Sequence, residues 1–422
     1  MEKEIQMEII NDLGKDGSMT QEMSQRPLSL IPEMRWDVEY YKKKGLYFYL
    51  ETTEEMLPNG HVRISGHGDM IMLGGYSYLG LIGHPQINAA AKAAIDQFGT
   101  GTYGVRLLAG SLTIHDELEA RIAAFKQTEA AITYSSGYVT NVATISSLLR
   151  KGDTVICDKL NHASIVDGCL LSMSTFTRFR HNDMDHLEKR LQEANPNGRK
   201  LVVADSVFSM DGDIINLPEV SRLCRQYGAY LMIDEAHSLG VLGETGHGIE
   251  EHFGLPADAI DIKMGTLSKT IPAAGGYVAG SHELINFLKH EARGFIFSAA
   301  VPPPSAAAAK IAFDVIEAEP ERIKALQANF TRFASRLRAA GFDLLQTETA
   351  IVPVICKSTP AAVQLAKYCQ DKGIFVQAVI APVVPAGQER LRACILASHT
   401  TADIDYCTDV IIAGGRELGI IQ

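Results

Sequence analysis

A lysine stands among hydroxyl side chains shortly after the apolar run at residues 262–264 of the chain. We expect residues 265–269 to form a loop that holds the amine of Lys269 in an apolar neighbourhood. Burial lowers the pKa of an amine, so that more of it is neutral and able to attack a carbonyl. Thr266 and Ser268 supply hydroxyl donors for an anion such as phosphate. These residue types predict a Schiff-base lysine beside a phosphate-binding loop.

A carboxylate follows a second apolar run, residues 230–233, in the tetrapeptide Asp234-Glu235-Ala236-His237. A carboxylate that emerges from a sheet buried on both faces is costly unless a cation meets it. The protonated pyridine nitrogen of pyridoxal 5′-phosphate (PLP) is such a cation, and a carboxylate partner lets the ring absorb the electrons of a carbanion. We therefore predict PLP as the cofactor, with His237 within reach of its 3′-oxygen.

Two further segments fit the same cofactor. Ser136, Gly137 and Tyr138 open an apolar-periodic helical stretch at residues 139–149, where free N–H groups can bind an anion. His162 lies just after a strand-like run that ends at residue 157, where an imidazole could stack on a planar ring. Each signal is weak alone, and together they predict a phosphate cradle and a ring-stacking histidine.

Other catalytic templates do not fit the sequence. Asp-Glu-Ala-His is also a tetrapeptide of nucleotide-dependent helicases, but those proteins need a P-loop, and Lys269-Thr270 follows Ser268 where the P-loop requires glycine. The pair His282-Glu283 lacks the second histidine of a zinc protease. The segment at residues 75–79 does not match the G-x-S-x-G nucleophile elbow. We predict neither a hydrolase nor a metal site.

Short apolar runs alternate with helical patterns through the first 300 residues. This alternation predicts an α/β fold with a mostly parallel central sheet, and functional residues gather beyond the carboxyl ends of such strands. After prolines 302–304 the pattern changes to a long helical stretch from residue 305 to about 340, then strands at 351–356, 374–379 and 391–395. We predict three parts: an N-terminal arm and segment (1–70), a large PLP-binding α/β domain (71–300) and a small α+β domain (301–422).

Composition narrows the class of protein. The chain has 422 residues, 46% of them hydrophobic, and a net charge of −11, which argues against a nucleic-acid partner. Its seven cysteines show no C-x-x-C spacing and suit buried thiols in a reducing compartment. The longest uncharged apolar stretch, residues 294–309, contains three prolines and is shorter than the roughly 20 residues of a membrane helix. We expect a cytoplasmic protein without a membrane span.

From about residue 70 to its end, the chain resembles the α-oxoamine synthases. These fold-type I PLP enzymes include 5-aminolevulinate synthase, 8-amino-7-oxononanoate synthase, 2-amino-3-ketobutyrate CoA ligase and serine palmitoyltransferase (SPT). The resemblance is carried by ordered motifs: Tyr78-Leu-Gly-Leu81, Asn161-His-Ala-Ser164 with Asp167-Gly168, Val207-Phe-Ser-Met-Asp-Gly-Asp213, Asp234-Glu-Ala-His237 with Gly240-Val-Leu-Gly243, Gly275-Gly-Tyr277, and Phe295-Ile-Phe-Ser298.

The resemblance implies a role for each matching position. Lys269 would be the Schiff-base lysine and general base, and Asp234 would pair with the pyridine nitrogen. Arg392 would hold the carboxylate of the amino acid. The remaining cofactor contacts would be His162 on the ring, His237 and Ser209 at the 3′-oxygen, Ser136, Gly137, Tyr138, Thr266 and Ser268 at the phosphate, and Ser298 from a second subunit. The implied assembly is a homodimer with its active site at the subunit interface.

Two positions depart from the family pattern. Ser77 stands where the family usually has asparagine, and Val105 precedes Arg106 where serine, threonine or proline is usual. These positions lie near the substrate in the family, and the bulk of Val105 favours glycine, alanine or serine as substrate.

The implied reaction condenses a small amino acid with an acyl thioester, with decarboxylation to an α-amino ketone. The donor would be acyl-CoA or an acyl carrier protein. The alternatives are a fold-type I aminotransferase and a non-catalytic partner subunit of a synthase.

Overall fold

The computed structural model describes residues 38–422, so most of the predicted N-terminal arm lies outside the described residues. The strands are β1 Thr53–Met56, β2 His61–Ile64, β3 Gly68–Met72, β4 Ala130–Tyr134, β5 Thr154–Asp158, β6 Thr175–Phe179, β7 Lys200–Asp205, β8 Tyr230–Asp234, β9 Ile262–Ser268, β10 Pro272–Gly280, β11 Ile351–Ile355, β12 Ile374–Phe375, β13 Ala378–Val379 and β14 Arg390–Cys394.

Helices connect these strands and cover the sheets. They are α1 Val38–Lys43, α2 Pro85–Phe98, α3 Thr113–Phe125, α4 Gly137–Leu148, α5 Ala163–Leu171, α6 Met184–Glu193, α7 Leu217–Tyr227, α8 Ile249–Phe253, α9 His282–Glu291, α10 Arg293–Ile296, α11 Pro303–Ala318, α12 Glu321–Ala339, α13 Thr359–Asp371 and α14 Thr401–Glu417. Within residues 38–422, no helix is long and apolar enough to cross a membrane.

The central sheet has seven strands in the order β4-β10-β9-β8-β7-β5-β6. Strands β5 to β9 pair in parallel, and β10 runs antiparallel to both of its neighbours. The strands of the middle are buried on both faces, with Val202 and Ile233 fully enclosed. The predicted α/β class with a mostly parallel sheet is confirmed.

Strand β9 is longer than predicted. We expected a loop at residues 265–269, but β9 continues through Ser268 because β10 folds back beside it, with Gly276 opposite Thr266 and Tyr277 opposite Gly265. The paired strand supplies backbone partners that the sequence of β9 alone does not reveal. Lys269 therefore follows directly on the end of a strand, at the turn into β10.

The predicted long helix at residues 305–340 is two helices. Helix α11 ends at Ala318 and α12 begins at Glu321. Glu319, with φ −125° and ψ 60°, leaves the helical region because Pro320 follows it and disfavours helical geometry at the preceding residue. The break lets the chain turn from the large sheet toward the C-terminal strands.

Two small sheets flank the C-terminal part. Strands β11, β14 and β13 form one of them, and β1, β2, β3 and β12 form the other. The single strand predicted at residues 374–379 is two short strands, since β12 pairs with β3 and β13 pairs with β14. Residues 53–72 therefore share a sheet with residues 374–375, which follow about 300 residues later in the chain.

Candidate active site

Two carboxylates and an amine meet at the carboxyl edge of the central sheet. Asp205 and Asp234 end the adjacent strands β7 and β8, where they are register neighbours, and Lys269 follows the next strand, β9. Both carboxylates are buried. Burial, reinforced by the charge of Asp234, raises the pKa of Asp205 well above its ordinary value.

Lys269 begins a hydrogen-bonded chain of three side chains. Its Nζ lies 2.7 Å from His237 Nε2, and His237 Nδ1 lies 2.7 Å from the hydroxyl of Tyr78. Burial lowers the pKa of Lys269 to about 8, although Asp234 and Asp205 act in the opposite direction. Burial and then the nearby Lys269 hold the pKa of His237 well below its ordinary value. These hydrogen bonds thus join a neutral imidazole to an amine that readily loses its proton.

Asp234 is oriented by two donors. Its Oδ2 accepts a 2.7 Å hydrogen bond from Asn141 Nδ2, and its Oδ1 accepts one of 2.9 Å from the N–H of Ala236. Asn141 also donates to Ser164 Oγ at 2.9 Å, and Ser164 Oγ lies 2.7 Å from His162 Nδ1. Asn141 could not be identified from the sequence, because a polar residue within an apolar helix gives no sign of its partner. His162 itself is exposed.

The beginning of α4 packs against strand β9. Ser136 Oγ caps the helix by accepting the N–H of Val139 at 3.1 Å. Gly137 lies so close to β9 that a Cβ there would be 2.9 Å from Thr266 Oγ1, and Thr266 Oγ1 is 2.9 Å from Ser268 Oγ. Hydroxyls and free helix N–H groups therefore converge, as an anion site requires. Tyr138 directs its own hydroxyl to Asp167.

Arg392 has one nitrogen without a partner. Its Nε donates to the carbonyl of Ser209 at 2.5 Å and its Nη1 to Cys394 Sγ at 2.9 Å, while the buried Nη2 makes no hydrogen bond. The ring of Tyr76 lies 4.8 Å from the guanidinium and 5.8 Å from Lys269 Nζ, so it covers both groups. Tyr76 and Cys394 could not be identified from the sequence, because they carry no signal apart from their proximity to Ser77 and Arg392.

The predicted substrate positions separate in the structure. Ser77 has a buried, unpartnered Oγ and lines a cleft of about 510 Å³ together with Lys269. Arg106 is not brought to Lys269: its guanidinium is buried against Glu119, with Nη1 to Oε1 at 2.8 Å. Val105 forms a β-bridge with Ala299, next to Ser298. Arg106 is thus held by Glu119, and Val105 is paired beside Ser298.

These residues suit PLP. The buried carboxylate of Asp234 lies near Lys269, whose amine has a lowered pKa. The N-terminus of α4 and its neighbouring hydroxyl groups supply donors for a phosphate. The profile of the aminotransferase class I and II family matches residues 68–411, and the chain belongs to that family. The resemblance to fold-type I PLP enzymes is confirmed.

Relatives define the group within this family. An 8-amino-7-oxononanoate synthase from Geobacter sulfurreducens is 43% identical over 91% of this chain and 98% of its own length. A solved Sphingomonas wittichii serine palmitoyltransferase is 34% identical, with a TM-score of 0.88 over 91% of this chain and 96% of that one. A structure of SPT with PLP is 35% identical, with a TM-score of 0.88 over 91% and 97% of the two chains. The chain is an α-oxoamine synthase, a PLP-dependent acyltransferase that condenses an amino acid with an acyl thioester and releases carbon dioxide.

Proposed function

We propose that this chain condenses alanine with an apolar acyl thioester, using Lys269 and Arg392 as the two ends of its amino-acid site. The unpartnered Nη2 of Arg392 carries the proposal, because a buried donor without an acceptor is costly and a substrate carboxylate would satisfy it. Tyr76 spans the space between Arg392 and Lys269, and so limits the side chain that the substrate carries.

We propose the cofactor contacts that the resemblance to the family implies. Lys269 would bind PLP covalently, and Asp234 would pair with its pyridine nitrogen. The other contacts would be His162 on the ring, His237 and Ser209 at the 3′-oxygen, and Ser136, Gly137, Tyr138, Thr266 and Ser268 at the phosphate. When bound, PLP supplies an electron sink for the substrate carbanion.

The residues of the chain handle the protons. Lys269 Nζ, whose pKa is about 8, takes the proton from the substrate Cα. His237 holds the amine through a 2.7 Å hydrogen bond, and Tyr78 in turn holds His237 through another of 2.7 Å. Arg392 fixes the carboxylate so that the Cα–H bond points at Lys269.

Alanine is favoured by product chemistry. The Geobacter relative is named for a product with an amino group on C8 and a keto group on C7 of a nine-carbon acid. Decarboxylative condensation leaves the amino-acid side chain on the amino carbon, so a terminal methyl there comes from alanine. Serine would leave a hydroxymethyl group and glycine only hydrogen.

The cleft favours a donor whose chain has no terminal charge. Among the described residues that line it, Lys269 is the only charged one, and the walls include Leu81, Ile82, Ile87 and Pro304. Transfer of a carboxylate into such walls is costly without a cation. The acyl group would arrive on CoA or on an acyl carrier protein.

The assembly belongs to the proposal. α-Oxoamine synthases are dimeric, and we propose a homodimer in which Ser298 reaches the partner's cofactor. Large exposed apolar side chains beside Val105 and Ser298 support this arrangement, among them Tyr103 (95% exposed) and Phe297 (71%). A cytoplasmic location is supported by seven buried, unpaired cysteines.

A substrate panel tests the proposed function. Alanine, serine and glycine are each paired with octanoyl-CoA and with the seven-carbon dicarboxylic monothioester, while thiol release and product mass are followed. We expect the largest kcat/KM for alanine with octanoyl-CoA, and no turnover by Lys269→Ala. Preference for the dicarboxylic donor would overturn the donor assignment. Release of a keto acid without thiol would support the aminotransferase alternative, and absence of the PLP absorbance band would support the non-catalytic one.

A further inference from the structure

A histidine outside the cofactor site is held between two carboxylates. His181 follows β6, and its Nδ1 lies 3.0 Å from Asp158 Oδ1 while its Nε2 lies 2.8 Å from Asp213 Oδ2. Asp158 is fully buried at the end of β5, and Asp213 is 11% exposed in the loop after β7. Burial alone would lower the pKa of His181, but hydrogen bonds to Asp158 and Asp213 raise it to about 10. The imidazolium therefore bridges the end of β5 and the loop that follows β7.

The bridge anchors a tight turn at residues 208–213. The N–H of Gly212 bonds to the carbonyl of Phe208 at 2.8 Å, and the N–H of Phe208 bonds to the carbonyl of Asp213 at 3.1 Å. The Phe208 ring packs edge-on against His181 with 4.3 Å between ring centroids. Asn182, the neighbour of His181, adds a 2.9 Å bond from its Nδ2 to the carbonyl of Ile214. Residues 181 and 182 thus hold the turn on the side of β5 and β6, while the carbonyl of Gly212 accepts bonds from Thr349 Oγ1 at 2.9 Å and from the N–H of Glu348 at 3.2 Å.

The outer side of this turn contacts Arg392, the arginine proposed to bind the substrate carboxylate. The carbonyl of Ser209 accepts Arg392 Nε at 2.5 Å, and the carbonyl of Met210 accepts Arg390 Nη1 at 3.0 Å. Arg390 also pairs with the carboxylate of Asp211. The turn therefore links the central sheet to strand β14 through the carbonyls of Ser209 and Met210, and one of these two bonds holds the guanidinium of Arg392.

We propose that His181 is a positioning residue for Arg392. By holding Asp213 against Asp158, it fixes the turn whose Ser209 carbonyl aims the guanidinium at the carboxylate of the amino acid. This inference rests on the proposed role of Arg392, and it assigns to His181 a function in substrate recognition without contact to substrate or cofactor.

The test compares two ligands on the PLP-loaded enzyme. L-Alanine carries the carboxylate that Arg392 would bind, and L-alaninamide does not; the binding of each is followed by the cofactor absorbance. In His181→Gln, we expect alanine affinity to fall about ten-fold, the factor for about 1.4 kcal/mol, with alaninamide affinity unchanged. Asp213→Asn preserves the shape of the side chain and should also lower alanine affinity without changing alaninamide affinity. This second variant tests the proposal if His181→Gln does not fold. The exposed His282→Gln serves as the matched control.

The same substitution in an Arg392→Lys variant separates a positioning role of His181 from a general effect on stability. In Arg392→Lys the preference for alanine over alaninamide should be lost, and adding His181→Gln should then change neither affinity. Equal weakening of both ligands by His181→Gln, or an unchanged preference, would overturn the role of His181. A wild-type enzyme without any preference for the acid over the amide would overturn the role of Arg392 itself.

Discussion

At the scale of single residues, the surroundings decide what each functional group does. Lys269 has the same side chain as every other lysine, yet burial brings its pKa to about 8. Arg392 is held at Nε and Nη1, and its Nη2 makes no hydrogen bond, which leaves one donor available to the proposed substrate carboxylate. The reactivity of the site therefore depends on neighbours that are distant in sequence.

The lowered pKa of Lys269 predicts a pH dependence for cofactor capture. Only the neutral amine attacks the aldehyde of PLP, so the capture rate of the apoprotein should rise with pH and level off above about 8. Stopped-flow absorbance across the pH range measures the midpoint. A midpoint near the ordinary lysine value of 10.5 would show that the amine is not desolvated.

At the scale of elements, close packing of β10 against α4 shapes the proposed phosphate site. Gly276 on β10 leaves no space for a side chain, because a Cβ there would lie 2.4 Å from Thr140 Oγ1 and 2.8 Å from Gly137 Cα. The helix can therefore begin directly against the sheet, beside Thr266. A strand glycine at this position is a requirement of close approach.

Gly276→Ala should loosen the cofactor site. The added methyl group must push α4 from the sheet at a cost of about 1–3 kcal/mol, and we expect PLP affinity to fall about ten-fold. Equilibrium dialysis of the apoprotein measures the affinity. Gly228→Ala, at φ 61° with no neighbour within 4 Å, is the matched control: backbone strain should lower its stability without changing PLP affinity. Unchanged PLP affinity in Gly276→Ala would contradict the packing argument.

At the scale of the whole molecule, one surface of the chain is unusually apolar. Leu108 is 85% exposed and lies near Tyr103 in sequence, while the bridge from Val105 to Ala299 brings Phe297 to the same region. Exposed apolar groups on this scale mark an interaction surface. The proposed homodimer would bury them and would complete the cofactor site with Ser298.

Leu108→Asp should therefore shift the protein toward monomer and weaken PLP binding together. Sedimentation velocity and the cofactor absorbance report the two effects. Met56→Asp, which places the same charge at an exposed methionine on β1, should leave both unchanged. A Leu108→Asp protein that remains dimeric with full PLP content would contradict the proposed interface.

The sequence determined the chemistry and the class of fold. Lys269, Asp234 and His237 were identifiable because their types and their places after apolar runs are local features. The alternation of elements likewise predicted the parallel sheet. These patterns depend only on residues that are close in the sequence, so they can be recognised without knowledge of the long-range packing.

Long-range packing determines which residues meet. It joined Asn141 to Asp234, Tyr76 to both Lys269 and Arg392, and His181 to Asp158 and Asp213. It also turned Arg106 toward Glu119 and extended β9 beside β10. Partners separated by dozens of residues are chosen by packing and by the satisfaction of buried polar groups, which the order of residues alone does not reveal.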